Sequence, residues 1–178
     1  MSDSREEKKP KSLKVNELIL SGKSLAKHIE EMKRERFLRE RVVNLSEYRK
    51  LRATPKQNTV LVVDEDESSR SCLVSALEKE GYKTLSASNE EELAKVIECQ
   101  PFDLLVLDPS LRGVNALELC YLMKGNRVLR KIPVVFISAD AGKDNVRKAF
   151  EVGCDDYISK PFKTDHVLRI VKYFLESA

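Results

Sequence analysis

The chain predicts an α/β fold, a parallel sheet with helices on both faces, and three observations carry that prediction. From Thr59 onward, apolar runs alternate with helix-like segments five times over. The runs Val60-Leu61-Val62-Val63, Leu104-Leu105-Val106-Leu107 and Val134-Val135-Phe136-Ile137 are continuously apolar, as strands buried on both faces require. A chemically useful side chain then stands where each run stops. Glu65 lies in the acidic cluster after the first, Asp108 ends the second, Ser138 ends the third, and Lys160 closes the last strand before Pro161-Phe162. In an open α/β sheet, the crevice beyond the carboxyl ends of the strands is where ligands bind.

Each element has its own signal. A strand at about 59–64 leads to a helix at 67–80, stopped by Gly81. A strand near 83–87 follows. Asn89 caps a helix at 90–99, whose start is reinforced by Glu90, Glu91 and Glu92. Next come a strand at 103–108 and a helix from about 115 to Gly125. After them lie a strand at 133–138 and a helix at 143–152 ending at Gly153. A short strand at 156–159 and a last helix at 165–176 complete the series. Crossovers between parallel strands should be right-handed.

Upstream, residues 1–12 are charged, carry Pro10 and read as disordered. From Leu13 the apolar spacing turns helical, with Gly22 ending a first short helix and Ser24 capping a second to about Val42. Leu18, Leu25 and Met32 are seven apart, but Arg39 breaks the series, so no coiled coil is expected. Asn44–Leu51 reads as one more helical turn and 53–58 as a linker. The organisation is therefore a basic, partly helical extension over 1–57 and an α/β domain over 58–178.

Charge divides the same way. Residues 1–57 hold 16 Lys+Arg and 9 Asp+Glu, whereas 58–178 hold 16 and 20, so a basic tail precedes an acidic domain. The acidic half does not suit a polyanion. The basic half leaves nucleic acid, a membrane surface or an acidic protein open. In Lys33-Arg34-Glu35-Arg36-Phe37-Leu38-Arg39-Glu40-Arg41, however, interleaved acids would repel phosphates, which disfavours nucleic acid. An amphipathic helix that docks on a partner, or on the domain's own acidic surface, fits that run better. The start is no signal peptide, and no apolar stretch approaches the ~20 residues of a membrane span, so a cytoplasmic location is expected. Cys72, Cys99, Cys120 and Cys154 are not close-spaced. They are expected to be reduced and mostly to pack.

Asp64, Glu65 and Asp66 follow the first strand, and Asp108 ends the third. Gathering carboxylates on one rim is costly without a cation, and hard oxygen ligands suit Mg²⁺. A carboxylate such as Asp108 is a nucleophile for phosphoryl transfer, a reaction that depends on positioning and charge neutralisation. Lys160 would bind one phosphoryl oxygen and the Ser138 hydroxyl another. A cis bond at Lys160–Pro161 would aim the lysine inward.

Spacing makes the set specific: 43 residues separate Glu65 from Asp108, 30 separate Asp108 from Ser138, and 52 separate Asp108 from Lys160. With the stretch from Ala149 to Phe162, residues 59–178 closely resemble the receiver domain of two-component response regulators. The resemblance implies a flavodoxin-like, doubly wound sheet in the order 2-1-3-4-5. It implies Asp108 as phosphoacceptor, Asp64 and Glu65 as the acidic metal pair, the Ser110 carbonyl as a further Mg²⁺ ligand, and Ser138 and Tyr157 as switch residues. It further implies a histidine kinase or phosphotransfer protein upstream and a protein target downstream. The face of the fourth helix, fifth strand and fifth helix would change on phosphorylation and be available for dimerisation.

Several positions depart from the family's commonest pattern. Glu65 replaces an aspartate, Pro109 follows the acceptor, Arg112 stands where proline is common, and Ala116 where glycine is common. Ser110 is expected to contribute only its backbone. The functional expectation is a phosphorylation-dependent switch rather than an enzyme, with output from the N-terminal segment or a partner. A phosphate-independent scaffold acting through the N-terminal helix is the alternative. An aspartate-nucleophile phosphatase is disfavoured, because no substrate pocket or second general base is evident.

Overall fold

The computed structural model describes residues 57–176. The helices expected between 13 and 51, and nearly all of the 1–57 extension, lie outside them. Five strands, β1 (Thr59–Val63), β2 (Lys83–Ala87), β3 (Leu104–Leu107), β4 (Val134–Ser138) and β5 (Asp156–Ser159), alternate with five helices. The helices are α1 (Glu67–Lys79), α2 (Glu90–Cys99), α3 (Ala116–Gly125), α4 (Lys143–Glu151) and α5 (Thr164–Glu176), with one 3₁₀ turn at Leu129–Lys131. All pairings are parallel and the sheet order is β2-β1-β3-β4-β5.

Continuous apolar strands bury both faces because side chains alternate across the sheet. Leu61, Val63, Leu105, Leu107, Val134 and Phe136 face one way, packing with Leu93 and Ile97 of α2, Leu119 and Met123 of α3, and Ala149 of α4. Val60, Val62, Leu104, Val106, Val135 and Ile137 face the other, packing with Leu73 and Leu77 of α1 and Val167 and Val171 of α5. A one-residue slip of any central strand would exchange these two sets.

Local chemistry sets the boundaries. Asn89 caps α2 by accepting from the Glu92 N–H at 3.0 Å. Asp66 caps α1 by accepting from the Ser69 N–H, so this acid serves the helix and not the site. Gly81 and Gly153 follow α1 and α4 with φ of +86° and +93°, the left-handed region where a Cβ is disfavoured. α3 ends differently. Gly125 is its last residue, and Asn126 follows, accepting from the Val128 and Leu129 N–H groups to start the 3₁₀ turn.

One expectation needs correction. Cys120 and Cys154 are buried, but Cys72 and Cys99 are exposed, so only half of the thiols pack. The α1 and α2 positions they occupy turn away from the two cores.

Candidate functional site

Register brings the acids together. Val63 of β1 pairs with Leu107 of β3, so Asp64 and Asp108 leave adjacent strands side by side. The Asp108 N–H donates to the Val63 carbonyl at 2.8 Å and the Asp64 N–H to the Ala87 carbonyl at 3.2 Å, which ties both backbones to the sheet. Both residues are buried, at 3% and 7% exposure. Two buried carboxylates side by side are tolerable only with a cation between them.

Lys160 supplies it. Its Nζ donates to Asp64 Oδ2 at 2.7 Å and to Asp108 Oδ2 at 2.6 Å. The ammonium belongs to the residue directly after β5, and the Lys160–Pro161 bond that follows is cis. The other Asp108 oxygen is held locally: Oδ1 accepts from the Ser110 N–H at 2.8 Å and from the Ser110 hydroxyl. Burial alone would raise the Asp108 carboxyl, but the bonds from Lys160 and Ser110 outweigh it and hold it below its ordinary 3.8. Burial likewise works against the Lys160 ammonium, yet its bonds to Asp108 and Asp64 raise it above the usual 10.5. At neutral pH the site is therefore an ionised carboxylate beside a charged ammonium.

Ser138, the last residue of β4, is buried, and its Oγ accepts from the Asp140 N–H at 3.1 Å. It braces the loop after β4 without capping α4, whose own start lies at Gly142. Beside it opens a cleft of about 280 Å³ bordered by Pro109, Ala116, Phe136, Ser138, Ala149 and Tyr157. Tyr157 is half-buried at its edge. The ring meets Phe136 edge-on at 6.2 Å and the hydroxyl donates to the Asp140 carbonyl at 2.6 Å.

Residues 60–172 match the model of the response regulator receiver domain. The chain belongs to that family. This receiver domain is 35% identical over 117 residues to the phosphate regulon transcriptional regulatory protein PhoB of Pseudomonas aeruginosa, covering 66% of this chain and 51% of that protein. It thus spans about half the length of this relative. A response regulator structure from Thermotoga maritima aligns at 31% identity and a TM-score of 0.60, over 67% of this chain and 98% of that one. The BeF3-activated receiver domain of DrrB from the same organism aligns at 28% and 0.61, over 67% and 98%.

Asp64, Asp108 and Lys160 thus meet, and Ser138 ends the neighbouring strand, as the spacing suggests. Glu65 does not join them. Its Oε1 accepts from the Arg112 N–H at 2.6 Å and its Oε2 from Arg112 Nε at 3.2 Å. The Arg112 N–H, and secondarily its guanidinium, hold the Glu65 carboxyl below 4.5 despite an opposing effect of burial. Among the described residues, accordingly, no three acids gather as a preformed cation site. The Asp64 and Asp108 oxygens still suit a hard divalent cation, because two buried carboxylates outnumber the one ammonium between them.

From sequence, Ser110 is expected to contribute only its backbone, yet its hydroxyl also donates to Asp108 Oδ1. An Asp whose side chain accepts from the N–H two residues on forms an Asx-turn, a local signal for the Ser110 N–H bond but not for its hydroxyl. The Arg112 partnership with Glu65 has no local signal, because it depends on β1 and β3 being neighbours.

Proposed function

We propose that this receiver domain is a phosphorylation-dependent switch with Asp108 as phosphoacceptor. The observation that carries the reading is the Lys160 ammonium shared by Asp64 and Asp108 at 2.7 and 2.6 Å. A carboxylate oxygen of Asp108 attacks phosphorus as the P–N bond to a donor phosphohistidine breaks, and the leaving imidazole takes up a proton. Lys160 stays on the acceptor side and pairs with a phosphoryl oxygen. Ser138 can exchange its Asp140 N–H partner for another, because a hydroxyl both donates and accepts.

Asp64, Glu65, Asp108 and the Ser110 carbonyl are the residues that would hold Mg²⁺, which when bound neutralises charge on the phosphoryl oxygens. If Ser138 turned toward a phosphoryl group, the cleft next to it would admit the Tyr157 ring, at the expense of the hydroxyl bond to Asp140. Such a change in partners is the differential contact a two-state switch needs. The face of α4, β5 and α5 would carry the change to a protein target or a second copy.

The partners fitting this reading are a histidine kinase or phosphotransfer protein upstream and a protein downstream, in the cytoplasm. Among the described residues no helix is long and apolar enough to cross a membrane. Incubation with a small phosphodonor and Mg²⁺, read by intact mass, should add one phosphoryl group per chain and none in Asp108→Asn. An adduct that persists in that variant, or none in the wild type, would reject Asp108 as the acceptor.

A further inference from the structure

The acid at position 65 is occupied from the β3–α3 loop. Leu111 to Val114 forms a tight turn, with the Val114 N–H donating to the Leu111 carbonyl at 3.3 Å and Gly113 at φ +82°. Positive φ at the third of four positions is the type II pattern, and Arg112 stands at the second. Leu111 and Val114 are buried and anchor both ends of the turn. The turn also lies against α2, because a Cβ on Gly113 would come within 2.6 Å of Glu90 Oε2.

Arg112 therefore presents a fixed backbone N–H and an exposed guanidinium to the same carboxylate. The extra methylene of Glu65, relative to aspartate, gives the side chain its reach to this loop. Asp64 and Asp108, by contrast, both face Lys160. Glu65 lies near enough to Asp108 to feel its charge, yet each of its oxygens is engaged by a donor of Arg112, so at least one of those bonds competes with a cation for the carboxylate.

We propose that Arg112 is a positioning residue that holds Glu65 away from Asp64 and Asp108 until a divalent cation competes for it. This rests on the reading of Asp64, Glu65 and Asp108 as a cation site. Cation binding is then an exchange: Glu65 trades bonds to Arg112 for the cation, and the tie between the β3–α3 turn and the β1–α1 loop weakens. Arg112 thereby lowers the cation affinity of the resting protein and couples occupancy to the freedom of the loop that carries Ser110.

Arg112→Pro tests this directly, since proline is favoured at the second position of a type II turn and removes both donors at once. Mg²⁺ binding by calorimetry should tighten about two- to fivefold in Arg112→Pro, in keeping with the modest strength of an exposed ion pair. Arg112→Ala, which keeps the N–H, should gain less. Both gains should vanish in a Glu65→Ala background. A persisting gain there would mean plain repulsion between the guanidinium and the cation, and would overturn the proposal. So would an unchanged or weaker affinity in Arg112→Pro alongside normal wild-type binding, which would leave the cation site itself standing. Flat titrations for every variant, wild type included, would remove the cation site and this inference together. Loss of fold in Arg112→Pro, checked by thermal melting in chelator, leaves the Arg112→Ala and Glu65→Ala pair to decide the matter by the same comparison.

Discussion

The backbone N–H of Lys160 donates to the carbonyl of Ser138 at 2.7 Å, so the two residues on either side of the β4–β5 crossover are joined directly. The strand register continues into that bond, since Ser138 pairs with Ser159. The lysine's Nζ, meanwhile, binds the acids leaving β1 and β3. One residue thus links the hydroxyl end of the site to its carboxylate end. Movement of either strand end would be felt at both.

Removing the ammonium should therefore cost stability as well as function. Lys160→Met leaves the nearly buried carboxylates of Asp64 and Asp108 facing each other without a cation. Breaking a buried pair by deleting one partner costs on the order of 3 kcal/mol. Urea unfolding at neutral pH in chelator should show a loss of that size, partly recovered when Asp108→Asn is added. A midpoint equal to wild type would mean the carboxylates are solvated and the bridge carries little.

The pH dependence follows from the directions of the two shifts. Asp108 is held below 3.8, so its contribution to stability is present above that value and lost as pH falls through its lower folded value. Lys160 is raised above 10.5, so its contribution is full below 10.5 and lost as pH rises through its higher folded value. Between these limits the pair should give a flat profile. In Asp108→Asn the part of the acid-side decline due to this carboxyl should disappear. Urea midpoints measured from acid to alkaline pH check it; an identical acid limb in both proteins would refute the assignment.

How much of this was legible depended on whether a feature is local. Gly81 and Gly153 mark helix ends from sequence alone because a left-handed residue after a helix favours glycine. Asp64, Asp108, Ser138 and Lys160 could be placed because apolar runs show where strands stop, and parallel strands stop on one rim. Glu65 and Asp66 could not be told from Asp64 that way. Which of three consecutive acids enters the site, caps α1 or meets Arg112 is decided by side-chain direction after β1, where the alternation that orders a strand no longer applies. The exposure of Cys72 and Cys99 was missed for a different reason: cysteine by type is most often a packing residue, whereas Cys72 stands one position, about 100° of helix rotation, from the buried Leu73.

Two glycines should respond oppositely to alanine. At Gly153 the φ of +93° disfavours any side chain, and a Cβ would approach Lys124 Cγ to 2.9 Å, disturbing the lysine that pairs with Asp155. Gly153→Ala should cost about 1–2 kcal/mol from the backbone alone. Gly125 closes α3 with no positive φ, and apart from its chain neighbours and the helix's own backbone nothing lies within 4 Å of where its Cβ would stand. Gly125→Ala should therefore be neutral or stabilising by up to ~1 kcal/mol. Thermal melts of both variants settle the contrast, and equal effects would contradict the backbone assignment at 153.

Thiol reactivity should split the four cysteines into two pairs. Cys120 and Cys154 lie in the core between the sheet and α3. Burial pushes their thiols up to about 12 and about 11, so neither forms thiolate at neutral pH. The Cys154 Sγ also donates to the Asp156 carbonyl at 2.8 Å, which fixes it further. Cys72 and Cys99 are exposed on α1 and α2. A thiol reagent at neutral pH should therefore label Cys72 and Cys99 in the native protein and all four only after denaturation, with peptide mapping to identify the sites. Rapid native labelling of Cys120 would show that α3 opens from the sheet far more readily than its buried Leu119 and Met123 imply.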